Sequence, residues 1–196
     1  MHAPIWKERS GPMSKQKSSS LGRFTNFPST RHGTATISHK ASNLRIQRII
    51  IESLRELNGY TSPQVLSVAS GSGTRQGEVR FEVGVANGVA FQFFDEETLR
   101  ELMRLLKNRQ PFPVLDVLII VCYYYPKNGR NVPLNFDHHL LRFTFSPGKF
   151  TTGLFHMKGI RRIPLDDLLH QVINRVKRKM VENRLKTFKL EYLRTL

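Results

Sequence analysis

Val79-Arg80-Phe81-Glu82-Val83-Gly84-Val85-Ala86-Asn87-Gly88-Val89-Ala90-Phe91-Gln92-Phe93 is the stretch on which the fold turns. Val79, Phe81, Val83 and Val85 alternate with Arg80, Glu82 and Gly84, the period of a strand with one face buried. Asn87-Gly88 predicts a tight turn, because both residue types tolerate positive φ. Val89, Phe91 and Phe93 resume the alternation on the return strand. The segment therefore predicts an antiparallel hairpin.

Working outward, Val65 to Ala69 reads as a short strand, separated from the hairpin by the loop Ser70-Gly71-Ser72-Gly73-Thr74. After the hairpin, Asp95 is placed to cap a helix, with Glu96 and Glu97 in its first turn. Leu99, Leu102, Met103 and Leu106 form the buried face of that helix, and Pro111 and Pro113 end the unit. Before the hairpin, Ser42 to Leu57 predicts another helix. Ser42 is its N-cap, Ile46, Ile50, Leu54 and Leu57 are its apolar stripe, and Gly59 stands where a C-terminal cap belongs.

The second half begins with Val114 to Tyr125, a near-continuous apolar run that reads as a central strand covered on both faces. Pro126 to Pro133 reads as a loop. Two further strands flank Ser146-Pro147-Gly148-Lys149, whose Pro-Gly pair is the pattern of a type II turn. Leu141, Phe143 and Phe145 share one face there. Pro164 opens a last helix. Each half thus runs strand, strand, strand, helix. The expectation is an α+β fold: an antiparallel sheet of two such units, preceded by one helix and followed by a long basic C-terminal helix. Residues 1–41 read as a disordered basic arm, 42–180 as a single core domain and 181–196 as a helical extension.

That extension carries a puzzle. At 100° per residue, Leu165, Leu169, Val172, Val176 and Met180 share one side of the last helix, whereas Val181, Leu185, Phe188 and Tyr192 share roughly the opposite side. Either the helix breaks near Val181, or the second stripe meets a separate groove or a second copy of the chain. Val181, Leu185, Phe188 and Tyr192 are accordingly the candidate contact for a homo-oligomer.

Charge points to function. From Arg9 to Ile51 there are eight basic residues and no acidic one. Net charge is +6 over residues 1–43, +3 over 44–155 and +7 over 156–196, so the middle is nearly balanced and both ends are strongly basic. A polyanion is the usual partner of such a distribution: nucleic acid first, an anionic membrane surface second. Candidate nucleic-acid contacts are Lys15, Lys17, Arg23, Arg31 and Lys40 in the arm, and Arg80, Lys127, Arg130 and Arg142 in the core. Arg161, Arg162, Lys177, Arg178 and Lys179 extend the set around the last helix. Tyr123 and Tyr125, on one face by alternation, are candidate stacking rings. Phe24 and Phe27 either anchor the arm to the core or stack on a base. DNA and RNA are both open at this level.

Enzymatic readings fare poorly. Asp137-His138-His139, with His156 on a nearby strand, is the most suggestive cluster. Adjacent strand residues point to opposite faces, so His138 and His139 do not readily share a metal, and Cys122 is the one thiol. Gly71, Gly73 and Gly77 lack the Lys-Ser/Thr ending of a phosphate loop. No catalytic set, cofactor or metal site is expected. No run reaches the roughly 18 apolar residues of a membrane span. One free cysteine suits a reducing, intracellular compartment, cytoplasm or nucleus, while the acid-poor first 43 residues leave organelle import open. The reading is a non-enzymatic nucleic-acid-binding protein. The alternative is a structural or matrix-type assembly protein, viral or cellular, that oligomerises and contacts ribonucleoprotein or anionic membrane.

Overall fold

The computed structural model describes residues 20–67, 74–185 and 188–196. Lys15, Lys17 and most of the loop expected at Ser70–Thr74 lie outside them. In chain order the elements are β1 (Gly33–His39), α1 (Asn43–Leu57), β2 (Thr61–Ser67), β3 (Thr74–Asn87), β4 (Ala90–Phe93), α2 (Glu96–Lys107), β5 (Val114–Lys127), β6 (Arg130–Ser146), β7 (Lys149–Lys158), α3 (Leu165–Glu182) and β8 (Phe188–Thr195). The strands form one antiparallel sheet, curled into a half barrel, in the order β2-β3-β5-β6-β7-β1-β8, with β4 pairing the end of β3. The α+β class is as expected. In chain order both halves run three strands and a helix, but the sheet does not repeat: β4 pairs β3 only, whereas β7 is paired on both sides.

All three helices pack on one face. Ser42 caps α1, its Oγ accepting from Arg45 N at 3.4 Å, and Asp95 caps α2, its Oδ1 accepting from Thr98 N at 2.8 Å. On α1, buried Ile46, Gln47, Ile49, Ile50, Ile51, Ser53, Leu54 and Leu57 cover an arc of about 200° at 100° per residue, wider than the stripe of a surface helix. That helix is buried between its neighbours and the sheet. Val117, Ile119, Val121 and Tyr123 of β5 face this main core, and Leu118, Ile120 and Cys122 face the opposite side, so β5 is covered on both faces.

The opposite face is covered in part by a segment read from sequence as a loose arm. Leu21 bridges Asn87, Gly22 N donates to Ala86 O at 2.8 Å, and Asp116 N donates to Gly22 O at 2.7 Å, so the chain is wedged between β3 and β5. Phe24 and Phe27 then pack over Leu118, Ile120 and Cys122. Beneath them lies Asp116, fully buried. Its carboxylate accepts Arg142 Nε and Nη2, both at 2.7 Å, and Phe24 N at 2.8 Å, while the Arg142 guanidinium lies 4.1 Å from the Phe27 ring centre. The two phenylalanines anchor the segment.

Several expectations need correction. Residues 20–41 are no arm: they carry the anchor above and β1, an inner strand between β7 and β8. Residues 181–196 are no helical extension. Helix α3 ends at Glu182, Arg184 takes φ 55°, and β8 pairs with β1. The break foreseen near Val181 is therefore present, and the second stripe was an accident of spacing. Leu185 and Phe188 pack on the main core, while Val181 and Tyr192 are exposed, so no continuous helical stripe exists for a second copy to meet. The hairpin loop is Gly88-Val89, one residue later than expected, with Gly88 at φ 69°. Finally, Pro126–Pro133 is mostly strand. Lys127 pairs Arg130 around Asn128-Gly129, both at positive φ, the favoured two-residue hairpin turn.

Among the described residues no helix is long and apolar enough to cross a membrane.

Candidate nucleic-acid interface

Paired residues in an antiparallel sheet put their side chains on the same face. Following the register across β6, β7, β1 and β8, on the face away from the helices, gives three adjoining rows. The middle row is Thr144, Thr151, Thr36 and Tyr192. On one side of it lies Ser146, Lys149, Ser38 and Lys189, and on the other Arg142, Gly153, Thr34 and Arg194. Arg31, just before β1, lies over Gly153, where its Cδ occupies the space a Cβ would need. A line of hydroxyls is thus flanked on both sides by cations.

The dimensions follow from sheet geometry. Neighbouring strands are about 4.8 Å apart, so each row is about 14 Å long. Rows two residues apart along a strand are separated by about 7 Å, which places the two cationic rows about 14 Å from each other. Arg31, Lys149, Lys189 and Arg194 are exposed and have no carboxylate partner among the described residues. The hydroxyls of Thr34, Thr36, Ser38, Thr144 and Thr151 likewise make no hydrogen bond to other described residues. The four strands contain two acids, Asp137 and Glu191. Asp137 is buried, and Glu191 sits in the bulge of β8 opposite Thr36/Ile37, so neither belongs to a row.

The residues singled out from sequence are scattered differently. Tyr123 is buried, and its hydroxyl donates to Asp137 Oδ2 at 2.6 Å and accepts from Ile163 N at 3.1 Å. It is a core residue and does not stack on a ligand. Burial, then the Asp137 hydrogen bond, push its phenol well above the usual range. Tyr125 is half-buried near the β5–β6 turn, beside exposed Lys127 and Arg130. Arg80 is exposed on β3, two strands away from β6, between Glu78 and Glu82 on the same face. Arg142 belongs to a row, but its charge is committed to Asp116. Lys179 and Arg178 pair with Glu56 and Glu182, while Lys177 is exposed on α3. Arg161 is exposed, and its backbone N, with that of Arg162, donates to Asp137 at 3.1 and 3.0 Å. Arg23 is exposed beside the β3–β4 turn, its carbonyl accepting from Gly88 N at 3.1 Å, and Lys40 is exposed just after β1. Of the sixteen residues, Arg31 and Arg142 fall in or over the rows. The rest of the array was missed because it depends on β1 and β8. The one signal in the sequence was Thr34, Thr36 and Ser38 alternating with Ala35 and Ile37.

His139 is fully buried with neither ring nitrogen hydrogen-bonded, and its ring lies 5.1 Å from that of His156. Burial, reinforced by His156, lowers its pKa to about 4, and burial, reinforced by Lys158, does the same to His138. Among the described residues no group of three or more His, Cys, Asp or Glu is placed to hold a metal ion. Burial pushes the Cys122 thiol up to about 12, which leaves it a poor nucleophile. A polar groove of about 570 Å³ lies between α1 and α3, lined among others by Glu56, Tyr60, Asp167, His170 and Arg175. Arg175 there stacks on Tyr60 at 4.2 Å and is held by Gln171.

Comparison with protein-family models, with curated proteins and with solved structures gave no match to this chain.

Proposed function

We propose that the protein is a non-enzymatic nucleic-acid-binding protein, and that the open face of β6, β7, β1 and β8 is its phosphate-binding surface. One observation carries this reading: Arg31, Lys149, Lys189 and Arg194 stand around a row of free hydroxyls with no acid among them. An ordinary solvated sheet face intersperses both signs of charge. Here the potential is one-sided, on a chain whose formal net charge is +16, and both facts favour a polyanion. The basic loop bearing Lys40 extends the positive field at the end of β1.

Fluorescence anisotropy with short labelled RNA and DNA over a salt series tests the proposal. Four phosphate contacts give a slope of log K against log salt of about −3 on a single strand and about −3.6 on a duplex. Lys149→Ser with Lys189→Ser should remove about half of that slope and leave the melting temperature unchanged, since both side chains are exposed. Unchanged affinity and slope in the double variant would put the binding surface elsewhere. Equal binding to anionic vesicles at matched salt would reduce the face to a general anchor.

A further inference from the structure

We infer that the ligand of the open face is RNA, recognised through its ribose-phosphate backbone; the inference rests on the nucleic-acid reading above. Cations alone do not distinguish RNA from DNA, because both carry the same phosphates. The middle row does. Thr144, Thr151, Thr36 and Tyr192 each carry a hydroxyl that can both donate and accept. A phosphate oxygen only accepts. A ribose 2′-hydroxyl donates and accepts, and it is the group by which a protein tells RNA from DNA. A row of hydroxyls about 7 Å inside two cationic rows therefore meets sugars while the cations meet the flanking phosphates.

The array also disfavours reading of bases. Modules that read single-stranded bases stack them on several aromatic side chains. Tyr192, 48% exposed, is the one aromatic in the three rows. Thr144, Thr151 and Thr36 present a methyl and a hydroxyl and offer no ring. Recognition is accordingly indifferent to sequence and sensitive to the sugar. The three threonine hydroxyls have no intramolecular partner among the described residues, so contact with a ligand breaks no bond in the fold.

The test is competition binding by the full chain to RNA and DNA of one sequence, each single-stranded and duplex, at one salt concentration. The variant is Thr36→Val/Thr144→Val/Thr151→Val. Valine keeps the branched shape a strand favours and puts a methyl in place of the hydroxyl. A hydrogen bond is worth about two- to tenfold in affinity, so three support an RNA preference of about tenfold or more in the native protein. The triple variant should bind DNA as before and lose the part of the preference that the three threonines supply, about tenfold or more. RNA with 2′-deoxy positions, offered to the unaltered protein, should lose affinity by the same factor, a readout that does not depend on the variant folding. DNA binding within twofold of RNA overturns the RNA assignment, an RNA preference undiminished in the triple variant overturns its origin in the threonine row, and both leave the phosphate surface standing. Binding of neither nucleic acid overturns both.

Discussion

Replacing Arg142 by leucine should cost more than replacing both Arg142 and its partner. Asp116 is fully buried and takes three hydrogen bonds: two from the Arg142 guanidinium at 2.7 Å and one from Phe24 N at 2.8 Å. Arg142→Leu leaves that carboxylate with one donor and no countercharge, and removes the cation over Phe27. Breaking a buried pair in this way costs about 3–5 kcal/mol. Asp116→Leu is milder. The Arg142 side chain is 22% exposed and its guanidinium can turn to water, so the main loss is the unsatisfied Phe24 N–H and two charge-assisted bonds, about 2–3 kcal/mol. The double variant removes both charges together. It leaves the unsatisfied amide and adds apolar contact beneath Phe24 and Phe27, for a net cost of about 1–2 kcal/mol. Urea unfolding read at constant m gives all three values, and a domain with about 5–15 kcal/mol of stability tolerates each of them. A double variant that costs the sum of the two singles, or an Arg142→Leu cost below about 1 kcal/mol, would show that this pair does not hold the 20–28 segment to the sheet.

His139 should make the fold acid-sensitive. Its folded pKa of about 4 lies below the unfolded value of about 6.5, so the unfolded chain takes the proton first. Its contribution is intact above about pH 6.5 and lost progressively down to about pH 4, a swing of about 3 kcal/mol. His138 adds a loss in the same window. His139→Leu should flatten the stability profile measured by urea titration between pH 7 and 4.5, and a profile unchanged in that variant would refute the assignment. Tyr123→Phe should cost about 3 kcal/mol, because it leaves Ile163 N without an acceptor and takes a donor from buried Asp137. The melting temperature should fall by about 6–12 °C with no change in nucleic-acid affinity. A cost below about 1 kcal/mol would refute the role given to the hydroxyl.

What was legible in the sequence was the part with local cause. Ser42 and Asp95 as caps, the apolar stripes of the helices and the double-sided burial of β5 all follow from a few adjacent residues, and all are present. The cationic sheet face was not legible, because its two decisive strands are specified by distant partners. Thr34, Thr36 and Ser38 alternate with Gly33, Ala35 and Ile37, small residues with a weak pattern, in a stretch whose lack of acids spoke louder than its period. Only pairing with β7 and β8 makes that stretch a strand. From the end of α3 into β8, Val181, Leu185, Phe188 and Tyr192 happen to recur at intervals of three and four, and so counterfeit a continued helix. Arg184 at φ 55° ends that possibility, though no residue type there announced it. Tyr123 failed for a related reason. A tyrosine beside bases reads as a ligand contact until Asp137, fourteen residues away, is found to hold its hydroxyl.

The position of β1 has a consequence for how the chain comes into being. β1 ends at His39, but its partners begin at Lys149 and Phe188. At the usual 5–20 residues per second, roughly 6–20 s of synthesis separate β1 from its first neighbour. During that interval its backbone groups have no sheet to join, and Ala35 and Ile37 have no core to enter. The cationic surface is finished only when β8 arrives with Lys189 and Arg194, so a ribosome-bound chain still short of residue 188 carries only Arg31 and Lys149 of its four cations and lacks the shape that gathers them.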